Sequence, residues 1–150
     1  MTDYFSQFFS QYQPQNKKKR AFISFDVDKD EQLKNLLSGQ AKNSDSPFYF
    51  EDWSVKKPFP QSTWKLNVRA KIKQCDFVIV LIGLNTYNSS GVLEEIIIAN
   101  EENIPMFGIY EKGRVYYVPT GLGKRFIEWN WNYIANVIDN LSSYLPQKYG

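Results

Sequence analysis

Two adjacent carboxylates, Glu94 and Glu95, stand in the opening turns of a helix that follows a nearly unbroken apolar run, Phe77–Ile82. Such a run is what a strand shows when both its faces are covered. Gly83 ends it, and a short polar loop carries the chain into the helix. Open parallel sheets keep their ligands where a strand's C-terminal end meets a helix N-terminus. On a helical wheel of about 100° per residue, Val92, Leu93, Ile96 and Ala99 gather on one face, which must pack on the sheet. Glu94 points away from them, toward water. Glu95 falls at the edge of the buried face, beside the crevice, where a carboxylate is partly desolvated and within reach of a ligand. Geometry alone leaves two readings open. Glu95 is a ligand-facing acid, or it belongs with Glu94, Glu101 and Glu102 to a solvated face, Glu94 complementing the helix dipole.

The composition narrows the chemistry. There are no histidines and one cysteine, Cys75. That excludes Ser-His-Asp and Cys-His catalysis, a His-ligated or thiolate zinc site and an intrachain disulfide. Carboxylates, hydroxyls, lysines, arginines and aromatic walls remain, with no metal and no resident cofactor expected. A net charge of +2 sets up no strong field for nucleic acid or an anionic membrane. The basic run Lys17–Arg20 reads as a solvated junction. No stretch approaches the roughly 20 apolar residues that span a bilayer. Residues 1–16 lack the charged start and apolar core of a signal peptide. The expected setting is a reducing cytoplasm.

The 150 residues, 43% hydrophobic, suit one domain with a real core. The 17% aromatic content fits either a flat ligand or, more simply, dense packing. Residues 1–19 read as an N-terminal extension, with Tyr4, Phe5, Phe8, Phe9 and Tyr12 forming an aromatic stripe if helical. Residues 20–150 read as the domain. Its strands are expected at Arg20–Phe25, Phe48–Trp53, Phe77–Ile82 and Ile104–Tyr110. Between them, Asp28–Glu31 resembles a capping box for a helix ending at Gly39, and Ser62 is the expected cap of a helix with Trp64, Val68 and Ile72 on one side. Lys65, Arg69 and Lys73 beside them read as a solvated stripe. Residues 111–128 read as turns around the apolar piece Val115–Val118, and a last helix is expected from about Trp131 to Tyr144. Gly121-Leu-Gly-Lys124 lacks the full phosphate-loop spacing and reads as a turn. Strands alternating with helices predict an α/β fold with a mainly parallel, flavodoxin-like sheet flanked by helices.

The strand RAFISF (residues 20–25) before an acidic helix start, the DFVIVLIG strand, and Asn-Thr-Tyr-Asn-Ser-Ser ahead of Val92 and Glu95 resemble TIR-like domains. The bacterial kind seen in Thoeris antiphage defence is the most similar. The resemblance covers roughly residues 20–110. It implies an enzyme that cleaves the nicotinamide–ribose bond of NAD, releasing nicotinamide and ADP-ribose or a cyclic ADP-ribose signal. It further implies self-association into a homo-oligomer and a downstream effector reached through the nucleotide signal. The catalytic glutamate of such enzymes falls on Glu95. Ser24 and Phe25 fall at the nicotinamide end, Asp52 and Trp53 with Ser54 in a loop over the cleft, and Thr86, Tyr87 and Ser90 ahead of the catalytic helix. Core packing is the alternative for Phe25 and Trp53, and turn or cap roles for Thr86 and Ser90. One position departs from the family: Gly91 stands where a tryptophan is common. A non-catalytic TIR-like assembly module and a nucleoside deoxyribosyltransferase-like enzyme are the competing readings.

Overall fold

The computed structural model describes residues 18–43, 45–54, 61–114 and 116–146, with the backbone alone at 51–53 and 61. The aromatic stretch at residues 1–16 lies outside the described residues. Five strands form one parallel sheet: β1 (Lys19–Ser24), β2 (Phe48–Trp53), β3 (Phe77–Ile82), β4 (Met106–Tyr110) and β5 (Phe126–Glu128). Their spatial order is β2-β1-β3-β4-β5. Four α-helices accompany them among the described residues: α1 (Glu31–Ala41), α2 (Gln61–Lys73), α3 (Ser90–Glu101) and α4 (Trp131–Ile138). Single 3-10 turns occupy Thr86–Asn88 and Leu141–Tyr144. The expected α/β class and flavodoxin-like order are what the chain adopts.

Strand β3 explains the sheet. All six of its side chains are buried, and alternate ones serve opposite faces. Phe77, Ile79 and Leu81 enter a core shared with Leu37 and Ala41 of α1 and with Ile134, Val137 and Ile138 of α4. Val78, Val80 and Ile82 enter the other, with Trp64, Val68 and Ile72 of α2 and Val92, Ile96 and Ala99 of α3. Much of the aromatic content is spent in the first core. Phe48 meets Phe77 edge-on at 5.9 Å, Phe77 stacks on Phe107 at 5.9 Å, and Phe107 meets Tyr144 at 6.0 Å. Rings from β2, β3 and β4 thus run in one row beneath the sheet, which favours packing as the reason for their abundance.

The sequence-based boundaries shift in four places. α1 continues through Gly39 to Ala41, and Asp30 at its N-cap makes no side-chain capping bond. Ser62 lies inside α2 rather than capping it. The last helix stops at Ile138 and resumes as the 3-10 turn at Leu141, because Asn140 breaks the helix at a non-helical φ of −131°. The fifth strand was missed: Phe126–Glu128 pairs with Gly108–Tyr110, while residues 116–118 are irregular. A three-residue edge strand is too short to show a period.

Phe77 is fully buried with rings on both sides, so its truncation leaves a cavity that the row cannot close. Phe77→Ala is expected to lower unfolding stability by about 3–5 kcal/mol, read from urea denaturation. Phe126→Ala, half-buried at the sheet edge, should cost much less.

Candidate active site

The order β2-β1-β3 reverses chain direction across the sheet, and the crevice at such a switch point is where a ligand fits in this topology. Here it lies beyond the C-terminal ends of β1 and β3. Glu95, one turn into α3, is completely buried, more so than the half-desolvated position that the helical wheel suggests. Two hydroxyls hold its Oε1: Ser24 at the end of β1 donates at 2.7 Å, and Ser54 just after β2 donates at 2.5 Å. Ser54 is itself fixed by the backbone. Its N–H donates to the Ile23 carbonyl at 2.9 Å, and its Oγ accepts from the Phe25 N–H at 3.1 Å. Hydrogen bonds of this kind are what a buried carboxyl group requires.

A cavity of about 500 Å³ opens over this carboxylate. Its walls come from the loop after β1 (Phe25 to Lys29), from Ser54, from Trp64 of α2, and from the loop and first turn of α3 (Asn85, Asn88 to Gly91). Of the expected site residues, Ser24 touches Glu95 directly, Phe25 lines the cavity while its ring is buried in the core, and Ser90 lines it at the helix start. Asp52 and Trp53 belong to β2, but their side chains lie outside the described residues. Thr86 and Tyr87 do not line this cavity. Tyr87 is 42% exposed and packs on Tyr117 at 5.0 Å between ring centres.

Several contributors were not legible as site residues. Trp64 reads in sequence as one more apolar helix position, yet it forms a cavity wall. Its presence bears on Gly91, which also lines the cavity and whose position has nothing within 4 Å of a would-be Cβ. The ring missing at Gly91 leaves real space, and the aromatic wall comes from a different helix. Asp26, Asp28 and Lys29 complete the rim, with Asp26 Oδ1 accepting the backbone N–H groups of Asp28 and Lys29. Glu94, Glu101 and Glu102 are not a merely solvated face. Lys65 pairs with Glu94 at 3.3 Å, and Arg69 bridges Glu101 and Glu102 at 2.7 and 2.8 Å. Lys65 and Arg69 of the stripe expected to be solvated therefore fasten α2 to α3.

Thr86 serves a second polar knot beside the site. Its Oγ1 accepts the Gly83 N–H at 2.7 Å and lies 3.0 Å from Asp30 Oδ2 and 3.2 Å from the Leu81 carbonyl. Gly83 leaves room for this carboxyl, since an added Cβ would sit 2.4 Å from Asp30 Oδ1 and displace it. Burial pushes the Asp30 carboxyl above its ordinary value, aided by Asp26 and opposed by the Thr86 hydroxyl and Lys29. Thr86 has one hydroxyl proton for two acceptors. A protonated Asp30 supplies the missing donor, so all three contacts are then satisfied.

Solved structures similar to the chain include a prokaryotic SEFIR domain, 18% identical with a TM-score of 0.49, covering 84% of this chain and 88% of that one. Another is the Clostridium botulinum CMP N-glycosidase BcmB, 19% identical with a TM-score of 0.44, covering 83% and 97%. A third is the TIR domains of the activated Roq1 resistosome bound to the effector XopQ, 15% identical with a TM-score of 0.46, covering 84% and 76%. A search of curated proteins returned no match. The protein family described as Thoeris protein ThsB, TIR-like domain, matches residues 22–116, from within β1 to past β4.

A raised folded-state pKa means that Asp30 stabilises the fold most when protonated. That contribution is complete below the unfolded value and is lost as pH rises through the folded one. Asp30→Asn, which is always neutral and can donate to Thr86, should therefore gain on the wild type as pH rises from 3 to 7. Urea unfolding across that range tests it, and a variant that loses ground to the wild type as pH rises would contradict the assignment.

Proposed function

The chain belongs to the Thoeris ThsB TIR-like domain family, and on that premise we propose that it cleaves the nicotinamide–ribose bond of NAD with Glu95 as the catalytic residue. The observation that carries the reading is the Glu95 carboxylate, buried at the floor of the cavity and fixed through Oε1 by Ser24 and Ser54. Among the described residues, nothing else lining that cavity is both acidic and buried.

The chemistry suits a chain without histidine. Nicotinamide in NAD is a pyridinium cation, so when the C1′–N bond breaks the electron pair returns to the ring nitrogen and a neutral molecule departs. No general acid is needed. Positive charge develops instead on C1′ and the ribose ring oxygen, and a fixed carboxylate stabilises it without reorganising. Water then adds to C1′ and passes its proton to Glu95, giving ADP-ribose. If a hydroxyl of the same ADP-ribosyl group adds in place of water, a cyclic product forms. The serine hydroxyls aim the carboxyl group by holding its Oε1.

The rest of the reading follows the family. Trp64 is the aromatic wall for the nicotinamide ring, Phe25 borders it at the end of β1, and Ser90 and Asn88 border the ribose. Asp52 and Trp53 keep the place over the cleft that the resemblance implies. Copies of the chain associate, and the product acts on a downstream effector in antiphage defence. A nucleoside-exchange enzyme would use the same glutamate, and the substrate that turns over separates the two.

Incubation with NAD and chromatography of the products tests the assignment. Glu95→Gln is expected to reduce turnover by at least about a hundredfold while leaving the melting temperature close to that of the wild type. Glu94→Gln removes only a partly exposed pairing with Lys65, so its rate should stay nearly intact. Sensitivity at Glu94 in place of Glu95 would refute the helix phase. Gly91→Trp should raise NAD affinity, because the ring enters open space beside the ligand. Stacking of about 1 kcal/mol corresponds to roughly fivefold in Kd, measurable by titration into the Glu95→Gln background.

A further inference from the structure

Asp30 carries a buried carboxyl that its own helix does not use. It stands at the N-cap of α1, yet its side chain makes no capping bond and the residue is only 7% exposed. The carboxyl turns instead to the end of β3. It lies against Gly83, and its Oδ2 is 3.0 Å from Thr86 Oγ1. Thr86 is wholly buried, and neither residue lines the Glu95 cavity. The contact joins positions 56 apart in the chain. It thereby ties the loop after β1 to the loop after β3, and both loops wall that cavity.

Each partner passes its position on to a wall. On one side, the Asp30 N–H donates to the Asp26 carbonyl at 2.8 Å, and the Lys29 N–H donates to the same oxygen at 3.3 Å. These bonds close the turn that presents Asp26, Asp28 and Lys29 at the rim. On the other side, the Thr86 carbonyl accepts the Ser89 N–H at 3.0 Å. Ser89 is the N-cap of α3, and its carbonyl accepts the Leu93 N–H at 3.0 Å. Asn88 and Ser89 line the cavity from there. The Oε1 of Glu95 is held separately, by Ser24 and Ser54.

We propose that Asp30 is a positioning residue of the Glu95 site, its carboxyl clasping the loop after β3 through Thr86 so that both cavity walls keep the spacing a bound ligand requires. For the ligand the proposal rests on the NAD-cleaving reading; the clasp itself does not. Losing either partner leaves the other as a buried polar group without its bond, which is relieved when the loops part and admit water. Release of the clasp acts on binding more than on chemistry, because the acid that meets the developing charge keeps its two serines. The same substitutions therefore separate KM from kcat, which a general loss of stability does not do.

Hydrogen exchange read by mass spectrometry tests the clasp without substrate. Asp30→Ala should speed exchange in residues 85–89, and Thr86→Val in residues 26–29, each at least about fivefold, the usual contribution of one buried hydrogen bond. Exchange in β4 should stay as in the wild type. In turnover assays both variants should raise the KM for NAD about fivefold and keep kcat within about twofold. Asp30→Asn and Thr86→Ser, which retain the polar atoms, should keep KM near the wild-type value. If Asp30→Ala does not fold, Thr86→Val, which only exchanges a hydroxyl for a methyl, carries both measurements. Faster exchange confined to the mutated loop overturns the proposal. So does an unchanged KM in a protein that cleaves NAD, or a KM raised equally by the conservative variants. Remote exchange that responds as expected, in a protein that does not cleave NAD, upholds the clasp and rejects the NAD-cleaving reading.

Discussion

The carboxylate of Glu95, buried and held by two serines, is the constraint to which the surrounding structure answers. A polar group removed from water is tolerated only if its hydrogen bonds are replaced. The replacements come from Ser24 at the end of β1 and Ser54 just beyond β2. Those strands must pair in parallel and in register, so that Ile23 lies opposite Trp53 and Ser54 follows within reach. Helix α3 must then lie at one rotation on the sheet, with Val92, Ile96 and Ala99 down and Glu95 turned to the strand ends. Ion pairs from Lys65 and Arg69 of α2 to the acids of α3 brace that rotation from the outside. Each pair is weak alone, but the three contacts span α3 from Glu94 to Glu102 and resist its turning.

The topology supplies the space. Because β1 and β3 are neighbours while the chain passes from β1 to β2 on one side and from β3 to β4 on the other, the loops after β1 and β3 diverge. The loop after β1 is shaped by Asp26, whose side chain takes two backbone N–H groups. The loop after β3 is pinned by Thr86 to Gly83, Leu81 and Asp30. Both are closed by their own polar bonds, so the cavity between them does not depend on a ligand for its shape.

What the sequence made legible followed from period. The apolar run of β3, the wheel of α3 and the alternation of strands with helices gave the parallel sheet and put Glu95 beside its strand ends, whereas strand order cannot be read from alternation. Spacing and the resemblance together singled out Ser24 and Ser90. What it hid was long-range. Ser54 had no local signature as a partner of Glu95, because the bond joins residues 41 apart. Trp64 matched the apolar face of its helix and gave no hint of a cavity. Thr86 looked like a loop residue and proved a buried junction. β5 is three residues long and owes its place to pairing with β4 and to Arg125. That guanidinium reaches the carbonyls of Gly121, Leu122 and Tyr144, and so holds the turn that superficially suggested a phosphate loop. Positive φ at Gly121 and Gly123 agrees with a turn.

Charge distribution links the site to the chemistry proposed for it. Among the described residues, three carboxylates and one lysine line the Glu95 cavity, an environment that favours a cation. The pyridinium of NAD is a cation before its bond breaks, and in the transition state positive charge is transferred to the ribose. Stabilising both equally would tighten binding without raising the rate. Position separates them: Asp26 and Asp28 lie at the rim, where solvent screens them, while Glu95 lies at the buried floor. A carboxylate in low dielectric exerts the stronger field. On the proposed reading, the rim acids attract the substrate and the buried acid acts where the charge arrives. Departure of neutral nicotinamide then removes the attraction that brought it in, so the same arrangement that draws the dinucleotide favours release of the base.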